Sequence, residues 1–423
     1  MDNKEKDTVE ILCIGTELLL GNILNTNAQW IAEQISCLGF SHYRQTVVGD
    51  NLFRLKETIN EISNRCRFLI TTGGLGPTVD DLTHKTIAST FNINLEEREE
   101  VIKDIKAKLS NKHNNFIPVN NYKQALFPLG AEIIPNLTGT APGMIWSPKK
   151  DFTILTFPGV PSELKQMWKD SAVFWLQKNN SNDMTLVSKV IRTVEISESY
   201  IAEQIHDLID NNNPTIAPYA GIGEVKLRLT AKAKNIEEGE NLISPIQDKI
   251  IDRLGVNCFG FNEDSLASSV INLLRKSNQT LAIAESCTGG GLGAEISSIA
   301  GCSDVFLGGV IAYQNEIKEN FLGVKGSLLS DFGAVSEEVV RSMAEGVRLR
   351  FKSDWSIAIS GLAGPEGGSA LKPIGLVQIG IAGPKVTEST KKTFNSGKGR
   401  KNIQKLSVVC SLNALRIRLL AQD

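Results

Sequence analysis

Short apolar runs alternate with helix-period segments through the first 170 residues, give way to another order, and resume after residue 265. That alternation leaves a chain few folds, because parallel strands need long crossovers and helices supply them on the faces of the sheet. Val9 to Gly15 opens the rhythm, and in Asn25 to Gly39 the residues Ile31, Ile35 and Leu38 share one helix face. A strand over Tyr43 to Val48, a helix carrying Leu52, Leu55, Ile59 and Ile62, and a strand over Arg67 to Thr72 follow. The pattern then predicts a polar helix near Leu95 to Ser110, strands over Ala131 to Pro135, Gly143 to Trp146 and Phe152 to Phe157, and a helix from Pro161.

Between Met184 and Gly260 the order becomes strand, helix, two strands, helix, short strand: Val187 to Ile196, Ser199 to Ile209, Thr215 to Ala220, Glu224 to Ala233 and Glu237 to Leu254. The Asn-rich stretches Lys178 to Asp183 and Asn211 to Asn213 read as breaks or turns, and Gly260 to Asp264 as a linker. The module has no G-X-X-G loop of the kind that clamps nucleic acid, so a spacer or dimerisation role is expected. Beyond it lie a helix to Leu274, strands over Thr280 to Glu285 and Val305 to Tyr313, and a helix from Ser336 to Phe351 with Ser336 as N-cap. Strands Trp355 to Ile359 and Ile374 to Ala382 and a terminal helix from Arg400 complete the chain.

The expected fold class is α/β: a three-layer α/β/α domain over 1–172, a small α+β module over 173–260, and a second α/β domain over 261–423. A chain of 423 residues suits such a division at roughly 100 to 200 residues per domain. Lys plus Arg number 45 against 47 Asp plus Glu, a net charge of −2, which argues against direct nucleic-acid binding and points to small-molecule partners. No apolar run is long enough to span a membrane and the start is charged, so a cytoplasmic protein without membrane contact is expected. Seven scattered cysteines without a C-x-x-C pair imply reduced thiols and no zinc site.

Two constellations carry chemistry. In the first, Gly73, Gly74 and Gly76 lie where a buried strand should end and a helix begin, either as a tight structural turn or as a cradle of N–H groups for a phosphate. Asp80 and Asp81 follow. Beside a phosphate they would repel it unless a divalent cation, Mg²⁺ or similar, bridges them; alternatively both complement the helix N-terminus. Asp50 and Glu17 also fall at strand ends, as further ligands or as caps.

In the second, Ser286 sits between a strand and a Gly-rich helix start whose N–H groups face a developing oxyanion. Histidines occur only at 42, 84, 113 and 206, which excludes a Ser-His-Asp triad within the last domain and leaves a lysine, Lys318, as base. Tyr313 ends the preceding strand, and Arg400 opens the terminal helix as a cation for the lysine's pKa or for a substrate phosphate. Cys287 is the rival nucleophile, disfavoured because neighbours on an extended strand point to opposite faces.

The runs Ile14 to Gly21, Thr71 to Gly76, Gly139-Thr140-Ala141-Pro142-Gly143, Pro158 to Glu163, Ala284 to Gly290, Tyr313 to Lys318, Gly333 to Ser336 and Lys372 to Gly375 together resemble the CinA family, over almost the whole chain. The N-terminal domain is similar to the molybdopterin-binding MoaB and MogA proteins, and the middle module resembles a KH-like fold. The resemblance implies a pyridine-nucleotide salvage hydrolase. Its C-terminal domain, also found free-standing, implies deamidation of nicotinamide mononucleotide (NMN) by Ser286 as nucleophile, Lys318 as base, Tyr313 assisting proton transfer and Arg400 positioning charge, with no cofactor. Ser360 stands where the family usually has Thr in Thr-Gly-Ile-Ala-Gly-Pro. The N-terminal domain implies metal-dependent hydrolysis of ADP-ribose, with Asp50 and Asp80 or Asp81 at the metal. Nucleotide contacts are expected from Glu17, Asn27, Gly73, Gly74, Gly76, Gly139, Thr140 and Gly143 there, and from Thr288, Gly289 and Gly364 in the last domain. The family also implies a homodimer. The alternatives are a regulatory protein of competence and recombination with a RecA-type partner, and a molybdopterin-type nucleotidyl transferase.

Overall fold

A computed structural model describes residues 8–110, 118–180 and 184–422. His113 and part of the Lys178 to Asp183 stretch lie outside them. The chain divides into two compact units, 1–187 with 232–239, and 188–231 with 240–423. Among the described residues no helix is long and apolar enough to cross a membrane.

The first unit begins with β1 (Thr8–Ile14), the single turn α1 (Thr16–Leu19), α2 (Thr26–Cys37), β2 (Ser41–Val48), α3 (Leu52–Ile62) and β3 (Phe68–Thr72). Next come α4 (Thr83–Thr90), β4 (Leu95–Glu97), α5 (Glu99–Ser110), β5 (Leu126–Pro128), β6 (Glu132–Ile134), β7 (Gly143–Lys149), β8 (Phe152–Phe157), α6 (Pro161–Met167) and α7 (Val173–Asn179). Six strands form one sheet in the order β2-β1-β3-β8-β7-β6, parallel through β8 and antiparallel beyond. Alternation along β1 splits the core: Val9, Ile11 and Cys13 pack on the α2 and α6 side, Leu12 and Ile14 on the α3 and α5 side. Asn25 and Asn51 cap α2 and α3 by accepting the N–H of Ala28 and Arg54.

The second unit starts with β9 (Thr185–Val194), of which residues from 188 belong to it, then α8 (Glu198–Gln204), α9 (His206–Ile209), β10 (Thr215–Ala220), β11 (Glu224–Ala233), α10 (Ile236–Leu254) and β12 (Cys258–Phe261). These strands order β10-β11-β9-β12. The rest comprises α11 (Leu266–Lys276), β13 (Leu281–Glu285), α12 (Gly291–Ser297), β14 (Phe306–Ile311), α13 (Asn315–Leu322), α14 (Gly326–Phe332), α15 (Glu337–Phe351), β15 (Trp355–Gly361), β16 (Leu376–Ala382), β17 (Thr387–Thr393) and α16 (Arg400–Leu420). Their sheet runs β14-β13-β15-β16-β17, with the first three strands parallel. Leu281 and Ile283 face α11, α12 and α16, while Ala282 and Ala284 face α15. Ser336 caps α15 through the Val339 N–H, as its position predicts.

The structure departs from the sequence pattern in several places. The first three residues of the polar stretch at Leu95 form a strand, because β4 pairs with β5. The helix expected over Ser199 to Ile209 breaks at buried Ile205 into α8 and α9. The Gly260 to Asp264 linker is instead the end of β12 and a turn held by Asp264 accepting the Phe261 N–H. Helix α4 starts only at Thr83, since Asp81 ties the intervening turn to Thr78.

Candidate functional sites

In the first unit, β1, β2, β3 and β8 present their C-terminal ends together, where parallel sheets hold ligands. A cleft of about 520 Å³ opens there. It collects Glu17, Asp50, Gly73, Gly74, Gly76, Asp80, Asp81 and Thr140, with Glu163 from α6 added to the acids the sequence indicated. Gly73 has φ +103, and a Cβ there would run into the Ile14 carbonyl, so only glycine lets β3 turn this close to β1.

Asp50 and Asp81 are each partly committed. Asp50 Oδ2 accepts the Thr16 N–H and hydroxyl, both at 2.8 Å. Asp81 Oδ2 accepts the Thr78 N–H at 2.8 Å and its hydroxyl at 2.7 Å, while Lys123 donates to the Thr78 and Asp81 carbonyls and straps the turn. Asp80 is exposed on the same turn. Among the described residues no group of three or more His, Cys, Asp or Glu side chains could hold a metal by itself. The donor set is hard oxygen in ones and twos, which suits a cation such as Mg²⁺ that takes its remaining ligands from substrate phosphate and water.

Three expected contacts do not line the cleft. Asn27 donates to Thr72 Oγ1 and to the Gly159 carbonyl at 3.0 and 2.8 Å, pinning the loop after β8 to the end of β3. Gly139 takes Asn136 Oδ1 on its N–H and leaves room for the Glu163 carboxylate. Gly143 is buried in β7, where a Cβ would collide with the Thr156 carbonyl, so it serves sheet packing. Asn136, unnoticed in the sequence, organises this side by holding Thr138, Gly139, Ala141 and Glu163 together.

In the second unit the same end of the sheet carries the Ser286 constellation. The ladder continues past β13, with the Ser286 N–H on the Ile359 carbonyl at 2.9 Å and the Ala312 N–H on the Glu285 carbonyl at 2.7 Å. Ser286 and Ala312 are thus neighbours on adjacent strand ends. Alternation from Ala282 and Ala284 turns Ser286 away from Cys287, which packs in the core beside α12. Burial pushes the Cys287 thiol up to about 12, so it stays protonated.

Lys318 is 1% exposed. Its Nζ donates to the Ala312 carbonyl at 2.9 Å and the Tyr313 carbonyl at 3.1 Å, and among the described residues no carboxylate pairs with it. Burial holds its pKa below the ordinary lysine value. The two carbonyls fix the Nζ position beside the end of β14. Arg400 donates to the Gly364 carbonyl at 2.7 Å and to the Tyr313 hydroxyl at 2.9 Å, fixing a cation at the mouth of the site. Ser360 Oγ donates to the Ala334 carbonyl at 2.7 Å and ties β15 to the loop before α15.

The Gly-rich turn is organised by a group the sequence did not single out. Glu285 is buried, and its carboxylate accepts the N–H groups of Gly290, Leu292 and Gly293 at 3.1, 3.0 and 2.8 Å. The α12 donors are therefore not available to an oxyanion. The Gly289 and Gly291 N–H groups bond back to Ser286 and Thr288, which leaves those of Cys287 and Thr288 beside Ser286. The Thr288 hydroxyl is buried without a partner, and Gln404 of α16 holds the Cys287 carbonyl at 2.7 Å. The signal for Glu285 was its parity with Ile283, which points it toward the start of α12.

Three family models match in order: a probable molybdopterin binding domain over residues 10–178, a damage-inducible protein CinA KH domain over 188–260, and a CinA C-terminal domain over 263–419. A CinA-like protein of Prochlorococcus marinus is 56% identical over 419 residues, covering 99% of both chains. Another, from a Synechococcus species, is 51% identical over 418 residues, covering 99% of this chain and 100% of its own. Among solved structures, the competence/damage inducible protein CihA from Agrobacterium tumefaciens is 35% identical over 37% of this chain and 93% of its own, with a TM-score of 0.36.

Proposed function

Because the chain belongs to the CinA family, we propose that it is a pyridine-nucleotide hydrolase whose C-terminal domain converts NMN to nicotinic acid mononucleotide and ammonia. The observation that carries this reading is Lys318, buried without a carboxylate partner among the described residues, so that burial lowers its pKa toward the range where it can accept a proton. Ser286 Oγ attacks the amide carbon and its proton passes to Lys318 Nζ. The Cys287 and Thr288 N–H groups receive the oxyanion. As the C–N bond breaks, the proton returns to the leaving nitrogen with Tyr313 assisting, and ammonia departs. Water then adds to the acyl-Ser286 ester with Lys318 again as base, releasing the carboxylate. Arg400 offers the charge for the substrate phosphate.

In the N-terminal domain the reading is metal-dependent hydrolysis of ADP-ribose to AMP and ribose 5-phosphate. A divalent cation, when bound, supplies charge neutralisation at the diphosphate. Asp50 and Asp81 would hold it, each through the oxygen not engaged by Thr16 or Thr78, with Asp80 beside them. The glycine turn gives the phosphates close access to backbone.

The C-terminal test is ammonia release from NMN by full-length protein. Ser286→Ala and Lys318→Met should each lower kcat/KM by at least about a thousandfold at unchanged folding; turnover retained in Ser286→Ala but lost in Cys287→Ala would reject the assignment. For the N-terminal domain, chelation and Asp50→Asn should each reduce ADP-ribose cleavage by about a hundredfold or more. Undiminished cleavage by chelated protein would remove the metal from the reading.

A further inference from the structure

We infer that the second unit carries another small-molecule site, for a small aromatic monocarboxylate, in the cavity between the middle module and α16. The cavity measures about 500 Å³, within the range of about 300–1,000 Å³ of small-molecule pockets. Its walls are mostly apolar, with Ile251, Phe259, Phe261, Leu273 and Leu420, and Arg416 of α16, Asp264 and Lys276 bring charge to it.

Arg416 is the unusual member. It is 3% exposed, and among the described residues no carboxylate pairs with it. Its guanidinium donates instead to Asn413 Oδ1 at 3.0 Å and to the Cys258 and Val256 carbonyls. The acid of this neighbourhood, Glu195, is already shared by Lys392 Nζ at 2.5 Å and Asn413 Nδ2 at 2.7 Å. A guanidinium carries five N–H groups, so these three bonds leave two without an acceptor. Burying a cation without an anion is costly, and the planar fork matches a carboxylate.

The cavity also limits the ligand. Asp264 lies on its wall with Oδ2 held by the Phe261 N–H, and Lys276, which also lines the cavity, matches its charge, so that Arg416 leaves the lining with one net positive charge. One carboxylate on a flat apolar body satisfies both ends, whereas a phosphate dianion does not. This inference is independent of the amidohydrolase reading, since it concerns different residues and is tested by binding alone.

The test is calorimetric titration of the full-length protein with benzoate, and with benzamide as its uncharged counterpart. Benzoate should bind with a Kd of about 0.1–1 mM, as its few heavy atoms permit, and at least about tenfold more tightly than benzamide. Arg416→Lys should remove that preference. Leu420→Trp, at a half-exposed position that should not disturb folding, should fill the cavity and abolish binding. Ser286→Ala should bind benzoate as wild type does. Equal binding of the two probes, no binding of benzoate, binding that survives Leu420→Trp, or binding lost in Ser286→Ala each overturns the site.

Discussion

At the scale of single residues, Lys318 stores the cost of its own reactivity. Its ordinary pKa is 10.5, and burial lowers it in the fold. Below the folded value the native state carries a buried cation that the unfolded chain hydrates, and above 10.5 both states are neutral and the penalty vanishes. Lys318→Met should therefore melt higher than wild type at pH 7, by roughly 2–4 °C, with the gain shrinking as pH approaches 10.5. A melting series across that range checks it, and a variant that melts lower at every pH refutes it. On the proposed mechanism, ammonia release should rise with pH along the same titration, and a rate that is flat with pH would count against Lys318 as the base. The sequence placed Ser286 and Tyr313 at strand ends, Lys318 in the following helix and Arg400 at the start of the terminal helix, and the structure has each of them there. Glu285 and Asn136 were not legible, since their work is to accept and donate to backbone groups whose positions only the fold fixes. Gly143 looked like Gly73 in the sequence. The difference is that one abuts a neighbouring strand within the sheet and the other ends a strand at the cleft.

At the scale of elements, alternation and helix period located the long segments well because burial imposes both. Strands β1, β3, β8 and β13 are buried at every position, and their apolar runs admit little else. The failures are elements without that pressure. β17 is a polar edge strand, TESTKKT, half exposed, whose pairing with β16 comes from the ladder and not from its own pattern. α14 is seven residues of mixed character. α12 shows what a short helix can lend to a site: its N-terminal donors are closed off by Glu285, so its contribution is rigidity in the turn that carries Ser286.

At the scale of the whole molecule, the family pattern has three parts and the chain has two compact units. Acid should distinguish them. In the first unit His84 is partly buried beside Phe127 with its Nε2 on Thr156 Oγ1, and desolvation lowers its pKa from 6.5 to about 4. A histidine kept neutral by desolvation gives its full stability above pH 6.5 and loses it as pH falls to about 4, a change of roughly 3 kcal/mol. Four of the five tryptophans, Trp30, Trp146, Trp168 and Trp175, lie in the first unit, so tryptophan fluorescence should report its denaturant midpoint falling across that window. His84→Gln should flatten the fall, and an equally steep fall in the variant would assign it to other groups. The contacts between the middle module and the last domain were not legible, because they join residues far apart in the chain. Gly223 packs against Leu406 and Val409, Glu195 meets Asn413, and the carbonyls of Val256 and Cys258 meet Arg416. Positions 406, 409, 413 and 416 make a single stripe along α16, the helix that also presents Gln404 to the Cys287 carbonyl and Arg400 to Tyr313 and Gly364. A fragment cut at residue 263 would lay that stripe bare to water, apolar at one end and cationic at the other. Recombinant terminal domain from this chain should accordingly be prone to self-association unless the stripe is rewritten with polar side chains.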